Sequence, residues 1–205
     1  MKKYELTDET LKIGAITLHR IKAVVAFADA SAGETGGWVE KEENLDQAGA
    51  AWVSGDAMVY GDARVFGDAR VSGDARVFGD AMVFGDASVS GDAMVFGDAR
   101  VFGDAWVSGD AMVFGDASHL EIGPIGSRDD TITFTRDKKG GIYAAIGCFF
   151  GTLAEFREKV GKTHGENVHA QAYLLAAQLA ELRIDTTPVD DGQEQLEKET
   201  ENDEK

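Results

Sequence analysis

Few side chains in this sequence have the chemistry of a reactive or metal-binding site. One group lies near the C-terminal end of the chain and comprises the single cysteine, Cys148, with His164, Glu166 and His169. Thiol, imidazole and carboxylate groups all bind metals, but two histidines share a helix face when they are about four residues apart, and these are five apart. Gly165 is also expected to end a helix between them. We therefore predict no metal site, and a buried structural role for Cys148 in a strand.

A six-residue repeat occupies the middle of the chain. Valine recurs eleven times at this interval, from Val53 to Val113, in the frame Val-x-Gly-Asp-Ala-x. Fixed self-similarity of this kind predicts a solenoid whose units stack and bury a shared core. The valine and the alanine two places before it point to the same side of a strand, so both are expected inside, while Gly-Asp supplies a corner.

The residue after each valine indicates how many corners close one turn. It is serine at Ser54, Ser72, Ser90 and Ser108 and aromatic in the other units. Three hexapeptides therefore form one turn of 18 residues, and residues 18 apart become neighbours at roughly 4.8 Å. The expected cross-section is a triangle with one serine face and two aromatic faces. Val39 and Leu45 predict an imperfect first turn.

The corner aspartates could cap backbone amides, bind calcium or imitate the phosphates of DNA. Neighbours such as Asp56 and Asp74 repel by roughly 0.9 kcal/mol in water before salt screening. A charged hydrogen bond to a turn amide contributes about 1.5–3 kcal/mol, so capping is the expected role. Calcium needs about six to eight oxygen ligands and is not required here. The DNA mimic stays open as an alternative.

The aromatic positions form the candidate binding surface. If they point away from the core, a monomer would expose an apolar patch larger than soluble chains usually carry. Three arginines lie beside them and could stack on the rings or hold an anion. We expect a second or third copy of the chain to cover this surface; a nucleotide-like ligand or a protein target is the alternative. The candidate residues are Tyr60, Phe66, Phe78, Phe84, Phe96, Phe102 and Phe114, with Arg64, Arg76 and Arg100.

The repeat resembles the hexapeptide-repeat, left-handed parallel β-helix family. The family pattern is an aliphatic residue followed four places later by a small one, and it is met from Val53 with Ala57 to Val113 with Ala117. The resemblance implies a left-handed triangular prism. It implies less about function, because acyltransferases and proteins without catalytic activity share the fold.

Enzymes of that family are usually trimers that bind acyl-coenzyme A between neighbouring prisms and use a histidine. His119, at the end of the last coil, is the candidate base under this alternative. Residues 51–118 contain no histidine and no loop excursion, so the sequence departs from the enzyme pattern. An inward or capping role for His119 is therefore favoured, and neither a catalytic residue nor a cofactor is expected outside the alternative.

The flanking segments are expected to close the solenoid and to add a second unit. Residues 1–37 predict an antiparallel β cap with a turn at residues 7–10, and the repeat domain spans residues 38–126. Residues 127–184 predict a ββαα module. Residues 185–205, with nine acidic and two basic side chains, predict a disordered tail.

Two helices are expected in the module. The first begins with a capping box formed by Thr152 and Glu155 and ends at Gly165. The second, in VHAQAYLLAAQLAELRI, has an apolar stripe that is expected to face the core. The stripe comprises Val168, Ala172, Leu175, Ala176, Leu179 and Leu182.

Charge and composition narrow the function classes. The chain has 37 acidic and 20 basic residues and a net charge of −17, so direct nucleic-acid binding or an anionic membrane partner is not expected. A single cysteine, no long apolar run and no signal sequence favour a soluble cytoplasmic protein.

These observations predict a mainly β protein: a left-handed parallel β-helix with three hexapeptides per coil, an N-terminal β cap and a C-terminal α+β module. The motifs GPIGSRDDTITF, GCFFGTLAEF and THGENVHAQAY make the chain resemble proteins of bacteriophage and prophage genomes. That resemblance implies a phage-related protein in a bacterial host cell.

The expected function is a non-enzymatic scaffold or binding protein that forms a homo-oligomer, with a trimer as one option. In its specific form, the protein sequesters a host factor or a nucleotide signal and so counters host defence. The alternatives are an acyl-coenzyme-A-dependent acyltransferase and an acidic DNA mimic.

Overall fold

A computed structural model describes residues 2–28, 30–115, 118–137 and 139–187 of the chain. Predictions that concern Asp116, Ala117 and the acidic tail beyond residue 187 lie outside these residues. Three strands precede the regular repeat, namely β1 (Tyr4–Ile13), β2 (Ile16–Ala23) and β3 (Thr35–Val39), and a short 3₁₀ turn follows at Glu42–Asn44.

Eleven short strands form the regular coils. Each consists mainly of a valine and the residue before it, as the hexapeptide predicts. They are β4 (Trp52–Val53), β5 (Met58–Val59), β6 (Arg64–Val65), β7 (Arg70–Val71), β8 (Arg76–Val77), β9 (Met82–Val83), β10 (Ser88–Val89), β11 (Met94–Phe96), β12 (Arg100–Val101), β13 (Trp106–Val107) and β14 (Ala111–Phe114).

The coils stack as three parallel sheets, one on each face of the solenoid. The first face contains β3, β5, β8, β11 and β14, the second contains β4, β7, β10 and β13, and the third contains β6, β9 and β12. The register steps by three hexapeptides, as in the pairing of Met94 with Met112. The repeat valines and alanines are buried inside, so the predicted β-solenoid with three hexapeptides per turn is confirmed. Its left hand stays a prediction.

The corners of the coil are closed by the backbone. The amide of Asp74 donates to the carbonyl of Gly91 one turn on, at 3.0 Å, and the same bond recurs at other corners. The predicted carboxylate caps are therefore wrong for most of the described corners, because the next turn already supplies an acceptor. Asp68 is an exception, since its carboxylate accepts from the amide of Ala50 at 3.0 Å.

The first turn is imperfect, as Val39 and Leu45 predicted. Val39 pairs with Val59, a longer step along the chain than the regular one from Val59 to Val77. The 3₁₀ turn occupies the extra length and buries Asn44 completely. The Asn44 amide donates to the carbonyl of Ala63 at 2.8 Å, so it takes the place of a missing strand amide.

The N-terminal hairpin covers the open end of this turn. Lys3 is buried and its Nζ donates to the carbonyl of Ala51 at 2.8 Å, while the hydroxyl of Tyr4 donates to the carbonyl of Leu45 at 2.6 Å. Burial lowers the pKa of Lys3, and nearby carboxylates oppose that effect. Both side chains supply donors because this end of the coil presents carbonyl groups.

The predicted hairpin turn at residues 7–10 is wrong. Strand β1 continues through this segment with an irregular register between Leu6 and Thr10, and the turn lies at residues 14–15. Gly14 has a φ of +55°, a conformation that a two-residue hairpin loop requires and that glycine adopts without strain.

Four strands lie between the regular coils and the helices, and three of them fall within residues 127–184, where two were predicted. They are β15 (His119–Ile125), β16 (Asp130–Asp137), β17 (Ile142–Ile146) and β18 (Phe149–Thr152). Strand β16 pairs antiparallel with β14 and with β15, so the module continues the first face of the solenoid. Thr133 in β16 accepts from the amide of Trp106 at 3.2 Å, which satisfies a donor of the last turn.

Two helices complete the described chain: α1 (Leu153–His164) and α2 (Val168–Arg183). The capping box of Thr152 and Glu155 is confirmed, as is the stop at Gly165. No helix in the described ranges is long and apolar enough to cross a membrane.

The predicted buried stripe of α2 is wrong. The helix packs its alanines and Tyr173 on the sheet and on α1, where the rings of Phe156 and Tyr173 meet edge to face at 5.9 Å. Alanine allows the helix to approach these rings closely, so the larger side chains lie outside. The buried residues are Ala170, Tyr173, Ala176, Ala177 and Ala180, and only Ala176 belongs to the predicted stripe.

Two glycine corners give a matched test of how closely the turns pack. Gly91 and Gly97 have φ values of +70° and +66°, so alanine is similarly strained at both. A Cβ on Gly91 would lie 2.9 Å from the amide nitrogen of Gly109, whereas one on Gly97 meets nothing within 4 Å. We expect Gly97→Ala to lower the unfolding free energy by about 1 kcal/mol and Gly91→Ala by roughly 1–3 kcal/mol more. Urea unfolding followed by circular dichroism measures both, and equal losses would contradict the packing.

Candidate binding surface

The seven aromatic side chains form two columns on the outside of the solenoid. Each ring stacks on the ring one turn away, because equivalent residues of successive turns are neighbours. In the first column, Tyr60, Phe78, Phe96 and Phe114 have successive centroid distances of 5.1, 5.1 and 5.6 Å. In the second column, Phe66, Phe84 and Phe102 are separated by 4.9 and 5.4 Å.

Stacking changes what these rings present to solvent. Neighbouring rings are nearly parallel, with an angle of 2° between Tyr60 and Phe78, so most ring faces are covered within the column. The rings are consequently half-buried, apart from Phe102, which is 46% exposed. The surface therefore presents ring edges, and its apolar area is smaller than the sequence indicated.

The two columns end differently beside the C-terminal module. The guanidinium of Arg136 lies 4.8 Å from the ring centre of Phe114 and closes the first column. Arg136 is fully buried and donates to the backbone carbonyls of Asp137 and Thr187. The second column has no such cover at Phe102 among the described contacts. Sequence reasoning missed Arg136, because only the pairing of β16 with β14 brings it to the column.

Methionines and arginines lie beside the columns on the same two faces. Arg64 lies with its guanidinium 5.8 Å from the ring of Phe66, and Arg76 belongs to the strand that precedes Phe78. Burial raises the pKa of Tyr60, and the charge of Arg76 opposes that effect. Arg64 and Arg100 are exposed, and the exposed corner aspartates border both faces. Each face thus combines apolar ring edges, cations and a rim of carboxylates.

The remaining face of the solenoid is a natural reference for these two. At the position after valine it has Ser54, Ser72, Ser90 and Ser108. Its strands keep the same parallel register from turn to turn, as in the pairing of Val71 with Val89. The fold therefore accepts serine at the position that the other faces fill with rings.

His119, the candidate base of the acyltransferase alternative, begins β15. It pairs across the sheet with Thr135 and is half-buried. Glu121 lies two residues further on, and burial together with the nearby charge of Asp104 raises its pKa to about 7. The structure brings neither residue into the aromatic columns, although Glu121 lies near the corner that follows Phe102.

A separate cavity of about 170 Å³ lies in the C-terminal module. Cys148, His164, Arg128 and Lys159 line it together with aromatic residues of the module core. The prediction of a buried strand position for Cys148 is wrong, because the residue is exposed in the turn between β17 and β18.

The two histidines of the suspected metal group do come together. The rings of His164 and His169 are 6.1 Å apart, and the ring of Tyr173 lies 5.4 Å from that of His164. Within the described part of the chain, no group of three or more histidine, cysteine or acidic side chains is arranged to hold a metal ion.

Glu121 gives a test of the electrostatics at the end of the second column. Its pKa rises from an ordinary value of 4.5 to about 7 on folding. Between these pH values the unfolded chain loses a proton that the folded chain retains, so stability from this group falls as the pH rises towards 7. Glu121→Gln should therefore stabilise the protein above pH 7, by on the order of 1 kcal/mol since the group is partly exposed, and should have little effect below pH 4.5.

Thermal unfolding of both chains across this pH range measures the effect. Asp86→Asn, at the equivalent corner one turn before Asp104, is the control for the loss of one carboxylate from this part of the solenoid. A stability difference between Glu121→Gln and the parent chain that stays constant from pH 4 to pH 8 would contradict the prediction.

Comparison with known proteins finds similarity within the regular coils. Residues 63–77 and 75–91 match a family model described as the YdcK beta solenoid repeat. No curated protein matches the chain. The similarity agrees with the β-solenoid seen in the structure, and it covers neither the C-terminal module nor a phage association.

Proposed function

We propose that this protein is a non-enzymatic scaffold that self-associates along the two aromatic faces of its solenoid and binds a target between the copies. The observation that carries the proposal is the pair of continuous aromatic columns, whose seven rings lie along two faces of the solenoid. Aromatic and methionine side chains are typical of the buried centre of protein interfaces.

Charge supports a second copy of the chain as the occupant of these faces. Arg64, Arg76 and Arg100 lie on the aromatic faces, and columns of exposed aspartates lie along the corners that border them. Two copies packed face to face bring the arginines of one near the carboxylates of the other. This complementarity offsets the repulsion between chains that each carry a net charge of −17.

A protein target fits the space between copies better than a nucleotide does. A base would stack on a ring face, but the columns cover their own ring faces except at open ends such as Phe102. Glu121 lies near that end, and its carboxylate would repel a phosphate when ionised. Ring edges and methionines, in contrast, suit the apolar side chains of a protein.

A more specific form of the proposal assigns the protein a role in phage infection. Its support is the resemblance of the motifs GPIGSRDDTITF and THGENVHAQAY to phage and prophage proteins. In this form, a phage-related chain in a bacterial cytoplasm sequesters a host factor and so counters host defence. A nucleotide signal is the other target that the test distinguishes.

The test replaces ring edges by the residue that the third face already uses. Phe78→Ser with Phe96→Ser should leave the solenoid folded, since serine occupies the equivalent position on that face. The double variant loses three ring contacts of roughly 0.5–1.5 kcal/mol each, so its unfolding temperature should fall. Its assembly mass, measured by native mass spectrometry, should drop below that of the parent. Ser72→Ala with Ser90→Ala is the matched control and should keep the parent mass.

Each outcome separates the proposal from its alternatives. A monomeric parent chain, or a Phe78→Ser, Phe96→Ser variant with the full parent mass, contradicts self-association along these faces. An additional nucleotide-sized mass on the native oligomer identifies a small-molecule target. Binding of acyl-coenzyme A that is lost in His119→Ala would favour the acyltransferase.

A further inference from the structure

Most of the large apolar side chains left exposed in the described chain lie on α2. Val168 is 70% exposed, Leu175 64%, Leu179 43% and Leu182 83%. Isolated surface leucines are common, but four such side chains on one face of one helix form a contiguous apolar strip. Covering that strip would remove a large apolar surface from water.

The spacing of the strip matches the seam of a helix pair. Val168, Ala172, Leu175, Leu179 and Leu182 follow one another at intervals of four, three, four and three residues. This alternation places them at the a and d positions of a heptad, which face a partner helix in a coiled coil. A helix that packs on a globular core usually has a wider apolar stripe than these a and d positions form.

The core of the module does not use this seam. Tyr173 and the buried alanines of α2 lie on the opposite side of the helix, against the sheet and α1. Arg157 of α1 binds the carboxylate of Glu181 through two hydrogen bonds of 2.8 Å, which joins the two helices. The helix is thus held in place by its own module while the seam faces outward.

We infer that α2 pairs through this seam with α2 of a second copy, in antiparallel orientation. The residues that flank the seam include Gln171 and Gln178, and none of the a, d, e or g positions from Val168 to Arg183 is acidic. Two chains of net charge −17 therefore meet there without opposed carboxylates. Antiparallel pairing places Arg183 of each helix near exposed Glu166 at the start of the other, and it also aligns the helix dipoles favourably.

The C-terminal tail is a poor alternative occupant. The segment after Thr187 contains two large aliphatic side chains, Val189 and Leu196, among many acidic residues. Such a segment cannot match five apolar positions of the seam. A second α2 can, and it is already ordered by its module, so pairing does not require a helix to form.

The inference deepens the oligomeric part of the proposed function but uses a different surface. Its test is therefore made in the Phe78→Ser, Phe96→Ser background, where the aromatic faces are altered. We expect that background to form a dimer, with twice the chain mass of 21.9 kDa, in sedimentation equilibrium at a concentration on the order of 100 µM. Adding Leu175→Glu and Leu182→Glu should reduce it to the monomer, because both side chains are exposed in the single chain and do not support its fold.

The matched control adds the same charge elsewhere. Ala154→Glu with Thr10→Glu, at two exposed positions outside the seam, should leave the dimer intact. A monomeric background, or a dimer that survives the two leucine substitutions, would overturn the seam. Neither result bears on the aromatic faces, which the comparison of the parent chain with its Phe→Ser variant tests separately.

Cross-linking supplies a second measurement in the chain with intact aromatic faces. Cys148→Ser removes the native thiol, and Leu175→Cys places a new one near the middle of α2. A short bismaleimide should join two chains through this position and should not join chains with Ala154→Cys instead. Equal cross-linking of both variants, or none at Leu175→Cys, would contradict the pairing.

Discussion

The hydrogen bonding of each turn of backbone to the next is the constraint on which the rest of the structure depends. Within the coils, amides donate to carbonyls of the following turn at many positions, as Trp52 does to Ala69 at 3.0 Å. The first and last turns each lack one neighbouring turn, so some of their backbone groups need partners from elsewhere in the chain. The chain meets them with different groups: Lys3, Tyr4 and Asn44 supply donors at the first end, and Thr133 supplies an acceptor at the last.

The same translation from turn to turn organises the surface. Whatever occupies one position of the hexapeptide is repeated at the distance of one turn, so rings stack on rings and carboxylates follow carboxylates. A column is stable where the repeated side chains attract one another, as phenylalanine rings do when they stack. A column of like charges is tolerated where water and salt screen the repulsion between neighbours, as at the exposed aspartates. The outer faces of the solenoid are therefore determined by the choice of a single residue.

The coils could be predicted from sequence because each residue there has the same surroundings as its counterpart one turn away. That argument fails outside the repeat. The burial of Lys3 and the contact of Arg136 with Phe114 depend on strand pairings between distant segments. For α2, the pattern identified an apolar stripe, but periodicity does not indicate whether a stripe faces its own core or a partner, and the alanine face proved to be the inner one. Cys148 was misplaced because a two-residue turn interrupts what was expected to be one strand.

Because the step between turns is uniform, each turn adds the same length to the solenoid. Removing or adding three consecutive hexapeptides within the regular coils would return every remaining residue of the coils to an equivalent position in its sheet, since the register of each sheet advances by that unit. The hairpin at one end and the β15–β18 module at the other would keep their contacts while their separation changed by roughly 4.8 Å per turn. Evolution can thus adjust the distance between the two ends of this molecule in fixed increments, without redesigning either one.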